Sequence, residues 1–235
     1  MNWTSYAVSH AGNIRTTNQD AYYRQDRLGL WAVADGMGGH AAGDVASQTI
    51  VQALDNLSNA GASNINILTL TSILEDVNEQ LVMQNIEHNR MTGSTIAAVF
   101  ANDKNCTCLW AGDSRIYLYR QQHLLQLSTD HSQLQELITQ GQLSVEEAKH
   151  YKNNVLTRAI GADADLKFDY REFILEAGDK LLLCSDGLYN EIERSEIIAI
   201  LEYTPAHEIA NKLLKLCLAR EAKDNISIIL INITD

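Results

Sequence analysis

A chain of 235 residues, 46% of them hydrophobic, can bury a substantial core, and nothing in it suggests disorder or a fibre. Eighteen basic against 30 acidic residues give a net charge of −12, which argues against a nucleic-acid surface. The acid excess means either ordinary solubility or carboxylates gathered as metal ligands. The longest apolar runs, such as Ile226–Ile233, are too short to cross a bilayer, and Met1-Asn2-Trp3-Thr4 lacks the start of a signal peptide. A cytoplasmic protein without membrane association is therefore expected. There is one proline, Pro205, and no linker rich in Gly, Ser or Pro, so residues 1–235 read as one domain. Cys106, Cys108, Cys184 and Cys217 show no zinc or Cys-x-x-Cys spacing and read as reduced thiols.

In chain order, Trp3–His10 and Trp31–Ala34 read as short strands. Val45, Ala46, Ile50, Ala53, Leu54 and Leu57 place a helix over Ala41–Leu57, and Ile67, Leu70, Leu74, Val77 and Leu81 place a second after it. The texture then changes to short β-prone runs, Thr95–Phe100, Cys106–Trp110 and Ile116–Arg120. They are split by turn residues such as Asn102–Asn105 and Gly112-Asp113-Ser114, and links this short predict antiparallel neighbours. His131–Gln140 and Ser144–Tyr151 read as two short helices around Gly141. Phe168–Leu175 and Lys180–Cys184 return to strand, Glu193–Leu201 and Ala206–Ala219 are helical, and Ile226–Ile233 is a final buried strand. Two blocks of strands, with helix pairs between and after them, indicate an α+β fold.

Five aspartates stand in turn-like settings after apolar runs or beside glycine: Asp20, Asp35, Asp113, Asp186 and Asp224. Trp31-Ala32-Val33-Ala34 runs into Asp35-Gly36-Met37-Gly38-Gly39, and Leu181–Ser185 runs into Asp186-Gly187. Any one Asp-Gly pair is ordinarily a turn. Several of them, each joined to a strand, suggest carboxylates projecting from a rigid sheet into a cleft. Such a set offers only oxygen, which suits Mg²⁺ or Mn²⁺ rather than zinc. Two such ions about 3.5–4 Å apart form a recurrent hydrolytic device for phosphoryl groups.

The series Arg15–Asp20, Val33–His40, Gly93-Ser94-Thr95, Ala111–Arg115, Asp130-His131-Ser132, Leu156–Gly161, Ser185-Asp186-Gly187 and Asp224-Asn225 resembles the PPM family of metal-dependent Ser/Thr phosphatases, in its compact bacterial branch. The resemblance runs from about Ser9 to Ile231. It implies a β-sandwich of two antiparallel sheets flanked by helix pairs on both outer faces, with two or three Mn²⁺ or Mg²⁺ ions in the cleft between the sheets. It further implies that Asp35 bridges two ions, that the Gly36 carbonyl binds one, that Asp186 and Asp224 complete the second, and that Asp113 and Asp186 hold a third. Arg15 would grip the substrate phosphate, and Asp20 would orient the attacking water. Water activated between the cations would attack phosphorus in line, with no phosphoenzyme.

The same resemblance implies a phosphorylated protein substrate, a cognate bacterial Ser/Thr kinase and a monomer. It extends to phosphatases that oppose the threonine kinase of type VI secretion. A segment of about 131–157 is expected to form a small flap over the cleft. Met37 stands where some members, chiefly eukaryotic, carry His, so that position supplies no acid to the leaving alkoxide. His40 close by is either such an acid or a loop histidine, and Tyr151 replaces a frequent Pro. A haloacid-dehalogenase-type mechanism fails for lack of Asp-x-Asp, since Val33 and Cys184 stand two residues before Asp35 and Asp186. The remaining alternative is an inactive phosphatase-like binding module with a place in secretion-system regulation; such a module would be expected to have lost the aspartates present here.

Overall fold

Residues 30–34 set the layering of the molecule: Leu30, Ala32 and Ala34 enter one core, and Trp31 and Val33 another. Successive side chains of a strand point to opposite faces, so a strand buried on both sides reads as a continuous apolar run. The computed structural model describes residues 1–38, 42–59, 65–148 and 155–235. Gly39, His40, Ala41 and Tyr151, and part of the expected flap, lie outside the described residues.

Three strands, β1 (Asn2–His10), β2 (Asp20–Gln25) and β3 (Leu30–Gly38), lead into helices α1 (Ala42–Asn59) and α2 (Ile67–His88). Five strands follow: β4 (Thr92–Ser94), β5 (Ile96–Asn102), β6 (Asn105–Ala111), β7 (Arg115–Arg120) and β8 (His123–Gln126). Short helices α3 (Gln133–Thr139) and α4 (Val145–Ala148) precede β9 (Asp169–Ile174) and β10 (Lys180–Cys184). The chain ends with α5 (Asp186–Tyr189), α6 (Arg194–Tyr203), α7 (Ala206–Leu218) and β11 (Ile226–Thr234).

One sheet has the order β1-β11-β10-β7-β8, and the other β2-β3-β5-β6-β9 with β4 attached to β3; every pairing is antiparallel. Trp31, Val33, Val99 and Cys108 of the second sheet meet Ile116, Leu181, Leu183 and Ile229 of the first, which forms the inner core. On the outer faces, Leu30, Ala32 and Ala98 pack on Ile50, Leu54 and Leu74 of α1 and α2. Leu182, Ile228 and Leu230 pack on Ile197, Leu213 and Cys217 of α6 and α7. The α+β sandwich with helix pairs on both outer faces is thus present. All four cysteines are buried and free.

Local chemistry explains the helix limits. Asn66 caps α2 by accepting from the Thr69 N–H at 3.0 Å, and Asn89 ends it in the left-handed region at φ 45°. Glu193 and Glu196 close a reciprocal capping box at the start of α6.

Three readings of the sequence need correction. The strand read as Trp31–Ala34 runs on to Gly38, because Gly36, Met37 and Gly38 pair with Ser94, Gly93 and Thr92. Asp35 is therefore within a strand and not in a turn. The runs Cys106–Trp110 and Ile116–Arg120 are not antiparallel neighbours, since β6 and β7 lie in different sheets. Gly112-Asp113-Ser114 carries the chain across the sandwich. Asp186 opens the helix α5 instead of a simple turn. Strands β2, β4 and β8 were not read from sequence at all; at six, three and four residues they offer little periodicity.

Candidate metal centre

Asp35, Asp113, Asp186 and Asp224 line one cleft of about 300 Å³, together with Arg15 and Gly36. They come from both halves of the sandwich. Asp35 lies on β3, Asp113 on the corner between β6 and β7, Asp186 at the start of α5 just past β10, and Asp224 just before β11. Asp20 is the β2 residue paired with Asp35, and it is buried beneath the cleft.

The backbone at Asp35 is pinned by Thr95. Its N–H donates to Thr95 Oγ1 at 3.0 Å, and its carbonyl accepts from the Thr95 N–H at 2.9 Å and from Ser94 Oγ at 3.0 Å. Gly36 follows where no side chain fits, because a Cβ there would come within 2.0 Å of the Gly43 carbonyl oxygen. The Gly36 oxygen lies in turn against Gly43, 2.6 Å from where a Cβ of that residue would be. Two glycines thus let helix α1 approach the strand that carries Asp35.

Asp113 follows Gly112, whose φ of +110° suits glycine; a Cβ there would meet Thr95 Cβ at 2.6 Å. The Asp113 carbonyl accepts from the Tyr189 hydroxyl at 3.0 Å, and Ser114 Oγ lies 2.7 Å from Thr95 Oγ1. Asp186 Oδ2 accepts from the Asn190 amide at 3.1 Å. Asp224 is held by Arg15, with Nε at 3.1 Å and Nη2 at 2.8 Å from its two oxygens. Arg15, expected to grip a phosphate, is thus paired with a carboxylate here, and both side chains are substantially exposed.

Burial, and then like charges at close quarters, push Asp20, Asp35, Asp113 and Asp186 upward. Burial first, then the charges of Asp20, Asp186, Asp113 and Asp224, hold the Asp35 carboxyl well above the usual range. Burial raises Asp20 to about 7 against the opposing bonds from Ser185 and Ser227. Burial, then Asp186, raises Asp113 to about 7; burial, then Asp224, raises Asp186 to about 6.

The donor set fits hard divalent cations on three observations. It is all oxygen. Its members repel one another, so a cation would relieve the cluster. Asp20 Oδ2 accepts from Ser185 Oγ at 2.7 Å, while Oδ1 is buried without a partner among the described residues. Among the described residues, no three of the acidic side chains already stand around a single ligand point.

Several supporting residues have roles that the sequence does not assign, although Thr95, Ser185 and Asn225 stand within its motifs. Asn225 staples the loop that carries Arg15, accepting from the Gln19 N–H at 2.7 Å and donating to the Ala11 and Thr17 carbonyls at 3.0 Å each. Thr95, Ser185 and Tyr189 hold Asp35, Asp20 and Asp113 respectively. The available signal was a buried polar residue directly beside or within an apolar run, as at Ser185 and Asn225.

Two helix-flanked antiparallel sheets with a carboxylate-lined cleft between them present oxygen donors of the kind that suit hard divalent cations. The chain belongs to the protein phosphatase 2C family, which it matches over residues 8–226. That family is metal-dependent. The serine/threonine protein phosphatase PstP of Mycobacterium tuberculosis is 33% identical over 233 residues, covering 97% of this chain and 45% of that protein, so the chain spans about half of that relative. A solved PstP catalytic domain in complex with two manganese ions superposes with a TM-score of 0.87 at 31% identity, covering 99% of each chain. The serine/threonine phosphatase stp of Listeria monocytogenes is 34% identical, covering 94% of this chain and 92% of that protein. The structure described as PppA, a key regulatory component of T6SS in Pseudomonas aeruginosa, has a TM-score of 0.88 at 34% identity, covering 99% of this chain and 98% of that one.

Proposed function

We propose that this protein removes phosphate from phosphoserine and phosphothreonine in proteins, with residues 1–235 acting as one catalytic domain. The observation that carries the proposal is the convergence of Asp35, Asp113, Asp186 and Asp224 on one cleft, from both sheets. In this reading Asp35, the Gly36 carbonyl, Asp186 and Asp224 would hold two ions of Mn²⁺ or Mg²⁺, and Asp113 with Asp186 would hold a third. When bound, such ions supply ionised water at neutral pH and a sink for phosphoryl charge. Asp20, buried beside Asp35 with one unpartnered oxygen, would orient the attacking water. Arg15 exchanges Asp224 for the substrate phosphate, to which its planar fork is equally suited. Met37 lies in the cleft wall and carries no proton for the leaving alkoxide.

Retention of all five aspartates argues against an inactive binding module. Among the described residues no helix is long and apolar enough to cross a membrane, and we place the protein in the cytoplasm as a monomer opposing a bacterial Ser/Thr kinase. Similarity to PppA supports a place in type VI secretion control; comparing phosphoproteomes with and without the gene tests it.

The direct test is turnover of a phosphothreonine peptide. Activity is expected with added Mn²⁺ or Mg²⁺ and none with EDTA, and full turnover in metal-free protein would sink the proposal. Asp35→Asn should be inactive, because it removes a carboxylate charge from the set that would hold the cations. Wild-type rates in that variant would refute the role of Asp35 in holding them while leaving the phosphatase reading intact.

A further inference from the structure

Gly112, directly before Asp113, is joined to His131 by two hydrogen bonds. Its N–H donates to His131 Nδ1 at 3.2 Å, and its carbonyl accepts from the His131 N–H at 2.9 Å. The imidazole is buried and stacks on Trp110, with ring centroids 6.3 Å apart and planes at 23°. Because Nδ1 accepts, the ring proton belongs on Nε2, which lies 3.1 Å from Asp169 Oδ2. Arg158 Nη1 holds the other Asp169 oxygen at 2.8 Å. The chain between residues 131 and 157 closes at this same point. Thr157 N–H donates to the His131 carbonyl at 2.9 Å, Gln133 N–H donates to the Val155 carbonyl at 2.9 Å, and Ser132 bridges Leu156.

The corner that bears Asp113 thus has three fixed points. Tyr189 holds the Asp113 carbonyl, Thr95 holds Ser114, and His131 holds Gly112. Thr95 lies between strands β4 and β5, and Tyr189 ends α5. The His131 contact comes from the base of segment 131–157. A two-point grip on a glycine also restrains the peptide that leads into the next residue, and Gly112 has no side chain to restrain it otherwise.

We infer that His131 is a positioning residue: it ties the base of segment 131–157 to the Gly112 backbone and so sets where the Asp113 carboxylate stands. The inference rests on the role given to Asp113 above. The competing reading is a buried histidine that only fills space beside Trp110.

Two substitutions separate these. His131→Asn keeps an acceptor oxygen close to the Nδ1 position and gives up Asp169. His131→Gln keeps a donor toward Asp169 and gives up the Gly112 acceptor. Three readouts are taken: amide exchange at Gly112 in metal-free protein, the Mn²⁺ concentration for half-maximal activation, and kcat and KM on a phosphothreonine peptide. His131→Gln is expected to speed Gly112 exchange, to raise the Mn²⁺ requirement and to lower kcat, each by roughly 10-fold or more, with KM little changed. His131→Asn should rescue all three to near wild type.

Equal impairment of the two variants, or wild-type Gly112 exchange in His131→Gln, overturns the inference. Should His131→Gln not fold, Asp169→Ala decides. It frees the imidazole to place its proton on Nδ1, so it should speed Gly112 exchange in the wild-type background and leave it unchanged in the His131→Asn background. The same response in both backgrounds overturns the inference. Near-normal turnover of Asp113→Ala would instead refute the role of Asp113 and leave the Gly112 exchange result standing.

Discussion

Asp113 sits on a three-residue corner between the two sheets, buried and pushed up to about 7. A turn aspartate would be exposed and near its ordinary value. Replacing this one removes a buried acid that destabilises the fold when ionised, so Asp113→Ala should melt near the wild-type temperature, within about 1 kcal/mol. Turnover of phosphothreonine peptides should nonetheless fall by roughly 10-fold or more, with the Asp35, Asp186 and Asp224 positions still binding metal. Measuring turnover, bound metal and melting on one preparation decides it; near-normal turnover would reduce Asp113 to a structural corner. Gly112→Ala is expected to be worse for stability, since its Cβ would stand 2.6 Å from Thr95 at a φ of +110°.

At the scale of elements, α3 and α4 differ from the rest of the molecule. Neither helix pair partner is long: α3 has seven residues, none of them buried, and α4 has four. Helices this short gain stability only from packing. The base of the segment is different, since residues 131–133 and 155–157 pair through backbone hydrogen bonds. Hydrogen exchange should therefore be fast over 134–148 and slow at the base, approaching that of the core strands. Protection of α3 equal to β10 or β11 would count against a mobile flap over the cleft.

For the whole molecule, the acid cluster links stability to pH and metal. Asp20 and Asp113 are raised to about 7 and Asp186 to about 6, from an ordinary 3.8, and Asp35 is also raised well above it, chiefly by burial. A carboxyl raised on folding contributes stability fully below its unfolded value and loses it as pH rises through the folded one. In EDTA the melting temperature should therefore rise as pH is lowered from 7.5 to 5.5. His131, lowered chiefly by burial, acts in the opposite sense, but it is one group against four acids. Saturating Mn²⁺ competes with protons for the same oxygens, so the rise in melting temperature it gives should be larger at pH 7.5 than at 5.5. Melting curves with EDTA and with Mn²⁺ at the two pH values test both statements. A metal-free protein that melts lower at pH 5.5, or an Mn²⁺ shift that is larger there, would mean that the cluster does not govern this window.

The sequence by itself determined most of the long elements and the identity of the cleft acids. Helix and buried-strand periodicities are local properties, so Ile67 to Leu81 and Lys180–Cys184 were legible as they stand. Aspartates next to glycine after apolar runs marked Asp35 and Asp186 for the same reason. Tertiary structure alone decided which strands are neighbours. The Gly112–Ser114 link is as short as a hairpin turn, yet it crosses between sheets, because β6 pairs with β5 and β9 while β7 pairs with β8 and β10. Tertiary structure also decided that Arg15 meets Asp224, 209 positions away, and that His131 grips Gly112. Such contacts depend on which faces the two sheets bury against each other, and no local pattern in the chain encodes that choice.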